Sequence, residues 1–167
     1  MTPRTWRDAL ADPDPADWRF LTVRQPWAWA IAHAGKSPEN RTQTWSYRGP
    51  LLIHAGASVD RYALNDPRIR SAHARLAAAG PVRQPAAVVS QLVAVANLVD
   101  VHDASPACPE SCALWGETMP RTTHLVLDDV LAIDGPTMAG GLGLRRLPAP
   151  SLLLALSAIH RALEANP

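Results

Sequence analysis

Cysteine and lysine are scarce in this chain, and long apolar runs are missing. The two cysteines, Cys108 and Cys112, are too few for a disulfide framework, which points to a reducing compartment. The stretch Leu152 to Leu156 is far short of a membrane span and is followed by His160 and Arg161, so no membrane partner is expected. Around Trp6 stand Arg4, Arg7, Asp8 and Asp12 rather than the apolar core of a secretory leader, and a cytoplasmic protein is expected. There is no Walker loop, since position 30, five before Gly35-Lys36-Ser37, is alanine rather than glycine. Gly140-Gly141-Leu142-Gly143 is too short and wrongly placed for a dinucleotide fingerprint. No cofactor is expected.

What remains is a chain of 167 residues, 47% hydrophobic and 19% charged, long enough to bury one core without staples. Its net charge of +1 conceals an uneven distribution. Residues 24–54 carry Arg24, Lys36, Arg41 and Arg48 against Glu39 alone, whereas residues 100–134 carry seven acids against Arg121. A confined basic face can therefore exist on a near-neutral protein. Lys36 is the only lysine, in Gly35-Lys36-Ser37-Pro38-Glu39-Asn40-Arg41. An ammonium on a flexible stem can do proton chemistry that a guanidinium cannot, so Lys36 and Glu39 form the candidate catalytic pair. The alternative is that Lys36 only complements the carbonyl end of a helix closed by Gly35.

The periodicity predicts a short extension over 1–18, a strand over Arg19 to Val23, and a helix opened by Pro26 with Trp27, Ala30, Ile31 and Ala34 on one face. Thr42, Thr44, Trp45 and Tyr47 lean towards strand, and Leu51 to His54 reads as a buried one. A helical stretch over Ser58 to Ala79 should break near Pro67. Ala86 to Val101 is the longest β-type run, followed by a long loop from Asp103 to Arg121. Strands over Thr122 to Ile133 and Leu142 to Leu147 precede a last helix capped by Ser151. Five or six strands and about three helices, without regular βαβ alternation, point to an α+β fold, a small mixed β-barrel flanked by helices. Cationic residues interleaved with Trp27, Trp29 and Trp45 suit single-stranded RNA or a nucleotide, since cations neutralise phosphate and indoles stack on bases.

In order along the chain come Arg24-Gln25-Pro26-Trp27-Ala28-Trp29, Gly35-Lys36 through Glu39-Asn40-Arg41, Trp45, Tyr47-Arg48-Gly49, Ile53-His54-Ala55, Leu98-Val99-Asp100-Val101 and Gly141 to Leu147. This order resembles the ASCH domain, a relative of the PUA RNA-binding barrel. The resemblance covers roughly residues 19–148, with 149–167 as a helix packed on the same domain. It implies a PUA-like barrel with a cleft beside its first helix, and roles in binding RNA or modified nucleosides. Compact relatives remove the acetyl group from N4-acetylcytidine with a lysine, a threonine three positions later and a distant glutamate. Here the lysine matches Lys36, the position three later is Glu39, and the distant acid would be Glu110 or Glu117. A ribonuclease using Lys36 and Glu39 is the other hydrolytic alternative.

The expected ligand-binding residues are Arg24, Gln25, Trp29, Arg41, Trp45, Tyr47, Arg48 and His54. Trp29 and Trp45 are the favoured stacking surfaces, with Trp27 assigned to the core. Arg24 and Arg41 either fork onto phosphate or pair internally with Glu39, and His54 either faces the cleft or is a satisfied core histidine. If residues 39–41 are extended, Glu39 and Arg41 share a side and Glu39 can reach Lys36 as well. On the long loop, His102, Cys108 and Cys112 lack the paired Cys-x2-Cys spacing and need a fourth ligand such as His124. No metal is expected there, but free thiols on a mobile loop.

Overall fold

The computed structural model describes residues 3–165. Its first element, helix α1 (Trp6–Ala11), is started by a capping box in which Thr5 Oγ1 accepts from Asp8 N and the Asp8 carboxylate accepts from Thr5 N. Trp6 and Trp18 are fully buried, the Trp6 indole donates to Asp129 O at 2.7 Å, and its backbone N–H donates to the Asn97 side chain at 2.6 Å. The segment expected as an extension is thus part of the core.

Strand β1 (Arg19–Gln25) leads into helix α2 (Trp27–His33) and the short strand β2 (Glu39–Arg41). Then follow β3 (Gly49–Val59), α3 (Pro67–Ala79), β4 (Gln91–Asp103), β5 (Thr123–Ala132), β6 (Leu144–Arg146) and α4 (Ala149–Ala165). The strands form one six-stranded sheet in the order β2-β5-β4-β3-β1-β6. Only β1 and β3 run parallel, joined across α2, and the other pairs are antiparallel.

Alternation along the strands divides the core in two. Phe20, Leu52, Leu92 and Val95 point to the face covered by Trp6, Trp18, Leu156 and Ile159. Leu21, Leu51, Ile53 and Ala94 point to the other, against Ala28 and Ile31 of α2. Burial on both faces explains why Leu51, Leu52 and Ile53 of β3 are apolar in succession rather than alternating with polar residues.

The expected closed barrel does not form: β2 and β6 are the sheet's two edges, and at three residues each they offer too little ladder to pair. The sheet instead bends at register shifts in β4 and β5, between Val95 and Asn97 and between Leu98 and Asp100. Residues 42–48 are not a strand either. Arg48 donates to the carbonyls of Trp45 and Tyr47, and the Tyr47 hydroxyl lies at hydrogen-bond distance from Asp17 O and Pro50 O, so side chains satisfy backbone that a ladder would otherwise pair. The helical stretch expected from Ser58 does not begin there: Ser58 and Val59 extend β3, a single 3-10 turn covers Ala63–Asn65, and α3 starts only at Pro67, with the Asp66 side chain capping it through Arg68 N. Ser151 is not a cap, because α4 begins at Ala149 with Pro150 in its first turn, where the missing N–H costs nothing.

Candidate functional site

A cleft of about 310 Å³ opens where β1, α2, β2 and the loop 104–122 meet. Its floor is made by the turn after α2. Gly35, at φ +66°, reverses the chain so that Lys36 N–H returns to Ala30 O at 3.0 Å, a conformation that favours glycine. The turn drives Lys36 inward to 3% exposure, where its Nζ donates to Pro38 O at 2.8 Å and to Glu39 Oε2 at 2.7 Å. Because β2 is extended, Glu39 and Arg41 share a side, and Arg41 Nε lies 3.2 Å from Glu39 Oε1. That N–H is not aimed at the oxygen and stays unsatisfied, while Arg41 Nη2 donates to Thr22 O at 2.7 Å. The result is a buried anion held between two cations. A third ammonium hydrogen of Lys36 and Nη1 of Arg41 have no hydrogen-bond acceptor among the described residues.

The walls come from distant parts of the chain. Trp27 is half-buried and meets Trp115 edge-on, their centroids 6.5 Å apart. Arg68 lies 4.9 Å over the Trp115 ring, its guanidinium forked onto Asp66, which holds the Asp66 carboxyl below its usual range. Asn40 of β2 ties down the loop by donating to Trp115 O at 2.8 Å and accepting from Glu117 N at 3.0 Å. Glu117 thereby lines the cleft, as does Asp60 just after β3, its N–H donating to Gln25 O at 2.7 Å. Arg24 is exposed at the rim and forms no ion pair among the described residues.

Of the expected site residues, the structure brings together Arg24, Lys36, Glu39 and Arg41; of the two acids considered, Glu117 lines the same cleft, whereas Glu110 sits in a short 3-10 turn outside it. Six others lie elsewhere. Gln25 is buried, with its amide donating to Val88 O and its carbonyl accepting from Trp29 N. Trp29 is 3% exposed and packed with Ile69 and Ala72, so its face is not open to a base. Trp45 and Tyr47 pack against the sheet core, and burial pushes the Tyr47 hydroxyl well above its ordinary pKa, keeping it a neutral donor. Arg48 turns to backbone carbonyls and lies 3.6 Å from Asp100. His54 is buried, its Nε2 donating to Met138 O at 3.0 Å and its Nδ1 facing Thr22 Oγ1 at 3.3 Å.

Sequence reasoning missed Trp27, Asp60, Arg68 and Trp115. Trp27 shares the apolar stripe of α2, which hides that one of its edges is left open. Trp115 stands in the acidic loop, where nothing local marks it as a wall of a cleft made 80 residues earlier.

Burial of His54 holds its imidazole below the ordinary value of 6.5, because the charged form is desolvated. Its neutral form contributes stability that is present above pH 6.5 and lost as pH falls towards the depressed native value. Denaturant midpoints at pH 7.5 and 5.5 should show a drop on acidification that shrinks in His54→Gln; an equal drop in the variant would assign the effect to other groups.

The site thus defines an α+β protein with a charged cleft of single-ligand size. Comparison with protein-family descriptions finds no match, and comparison with curated proteins finds none. Among solved structures, the chain is similar to the crystal structure of ASCH from Zymomonas mobilis, at 14% sequence identity and a TM-score of 0.48, over 86% of this chain and 96% of that one. No helix among the described residues is long and apolar enough to cross a membrane.

Proposed function

We propose that this chain is an ASCH-type domain that binds one nucleoside, free or as an unpaired nucleotide of single-stranded RNA, in the cleft beside α2. The observation that carries this reading is the buried Lys36–Glu39–Arg41 cluster on the floor of a cavity flanked by the open edge of Trp27. A fixed carboxylate accepts from an exocyclic amine such as cytosine N4, and neighbouring cationic N–H groups donate to a ring carbonyl. The indole offers apolar contact to the base. Arg24 at the rim suits the phosphate that only an oligonucleotide brings. The volume is near the lower end for small-molecule sites and fits one base with its sugar better than a strand.

A hydrolytic reading is favoured by one further observation. Lys36 Nζ lies 2.7 Å from Glu39 Oε2, and Glu117 stands on the facing wall, so a proton donor and two carboxylates border the same space.

Calorimetric titration with cytidine, N4-acetylcytidine and a short single-stranded RNA tests both readings. Binding to at least one is expected, with Glu39→Gln weakening all of them. Arg24→Ala should weaken only the RNA and flatten its salt dependence by about one released counterion. No heat from any ligand at low salt would remove the binding reading. Chromatography of the N4-acetylcytidine mixture reports turnover. Cytidine release reduced at least roughly tenfold by Lys36→Met, with the circular dichroism unchanged, would assign the chemistry to this floor.

A further inference from the structure

At the far end of the β4–β5 ladder, His102 and His124 stand directly opposite each other in register, their ring centroids 5.3 Å apart. The loop between them folds back to place two thiols against these rings. Cys108 Sγ lies 3.6 Å from His124 Nδ1, Cys112 Sγ lies 3.7 Å from His102 Nε2, and the four ligand atoms all fall within 4.8 Å of one another. We propose that His102, Cys108, Cys112 and His124 form a structural zinc site that fixes the loop wall of the cleft.

Two of the sulfur–nitrogen separations match the edges of a coordination tetrahedron, and the other ligand atoms lie close enough to close one. With Zn–S near 2.3 Å and Zn–N near 2.0–2.1 Å, tetrahedral geometry puts sulfur and nitrogen about 3.5 Å apart, close to the 3.6 Å and 3.7 Å separations here. The outer partners settle which imidazole nitrogen is free. His124 Nε2 donates to Glu117 O at 2.9 Å, leaving the Nδ1 lone pair towards Cys108. His102 Nδ1 is engaged by Asp100 Oδ2 at 2.6 Å, leaving Nε2 towards Cys112. A carboxylate or carbonyl behind each ligating imidazole is the usual support of a metal-bound histidine. Asp100 is in turn 3.6 Å from Arg48, and the Ser105 backbone N–H points to Cys108 Sγ at 3.2 Å.

Four protein ligands leave no open position, so the site is structural. Zinc would be bound by two thiolates and two neutral imidazoles, and the two thiol protons would pass to solvent. The two loop cysteines and the two strand histidines then close the loop that carries Trp115 and Glu117 into the cleft. Gly116 lies between those two residues against the site: a Cβ there would come within 2.6 Å of Cys112 O and 2.8 Å of His124 Cε1. The expectation of free thiols on a mobile loop therefore gives way to a clamp, because strand pairing sets His124 opposite His102 and supplies the fourth ligand that local spacing left open.

Full-length protein purified without nickel or chelator should contain about one zinc per chain by elemental analysis. Replacement by cobalt should give the ligand-field bands of a tetrahedral ion and a thiolate-to-metal charge-transfer band, both lost in Cys112→Ser. Should that variant fail to fold, the wild type decides the matter through reaction of its two thiols with a disulfide reagent, which zinc should slow and a strong chelator restore. Absence of tetrahedral cobalt bands, together with thiol reactivity indifferent to zinc, would overturn the proposal.

Discussion

Lys36→Met should lower the stability of the protein by about 3 kcal/mol and abolish ligand binding in the cleft. The cost arises because breaking a buried ion pair leaves the other charge uncompensated, which is worth roughly 3–5 kcal/mol, with Arg41 near Glu39 keeping the loss at the lower end. The double variant Lys36→Met/Glu39→Leu should recover most of that stability, since an apolar pair can replace a buried ionic one at little cost, yet still bind nothing. Urea midpoints paired with nucleoside titration separate the two effects. If the single variant is as stable as the wild type, Lys36 does not compensate Glu39, and the floor of the cleft is wetter than its 3% exposure indicates.

Trp6→Ala should cost about 3–5 kcal/mol, because it empties a fully buried site and orphans Asp129 O, while the backbone N–H of residue 6 still donates to Asn97. Removal of residues 1–18 should then prevent cooperative unfolding from being observed at all, since both Trp6 and Trp18 leave the cluster that α4 covers. Thermal unfolding followed by near-ultraviolet circular dichroism measures this. A truncated chain that melts as sharply as the full one would return the segment to the status of an appendage.

These two cases show where reading the chain alone succeeds and where it stops. The Gly35-to-Arg41 cluster was legible because its geometry is local: a glycine reversal and three extended residues suffice to bring an ammonium, a carboxylate and a guanidinium together. The N-terminal segment was not, because Asp12-Pro13-Asp14-Pro15 reads as a linker while Trp6 before it is held by Asn97 and Asp129, and Trp18 after it is buried in the same cluster as Leu92, Val95 and Ile159. Trp29 and Trp27 exchanged their expected places for a related reason. Both lie on a two-turn helix packed on several sides, and periodicity cannot tell which edge of that helix the rest of the fold leaves uncovered.

By itself the sequence determined the apolar strand segments Arg19 to Val23, Leu51 to His54 and Thr123 to Ala132, the helix beginning at Pro67, the lone lysine and the carboxylate within its reach, since each depends on residues no more than a few positions apart. Only the tertiary structure decided that the sheet stays open, that Trp27 and Trp115 rather than Trp29 and Trp45 border the cleft, and that four scattered histidines and cysteines converge. Those outcomes depend on strand register and loop closure, which join residues by hydrogen-bonded pairing across the fold, and such pairings leave no periodic trace in the chain that forms them.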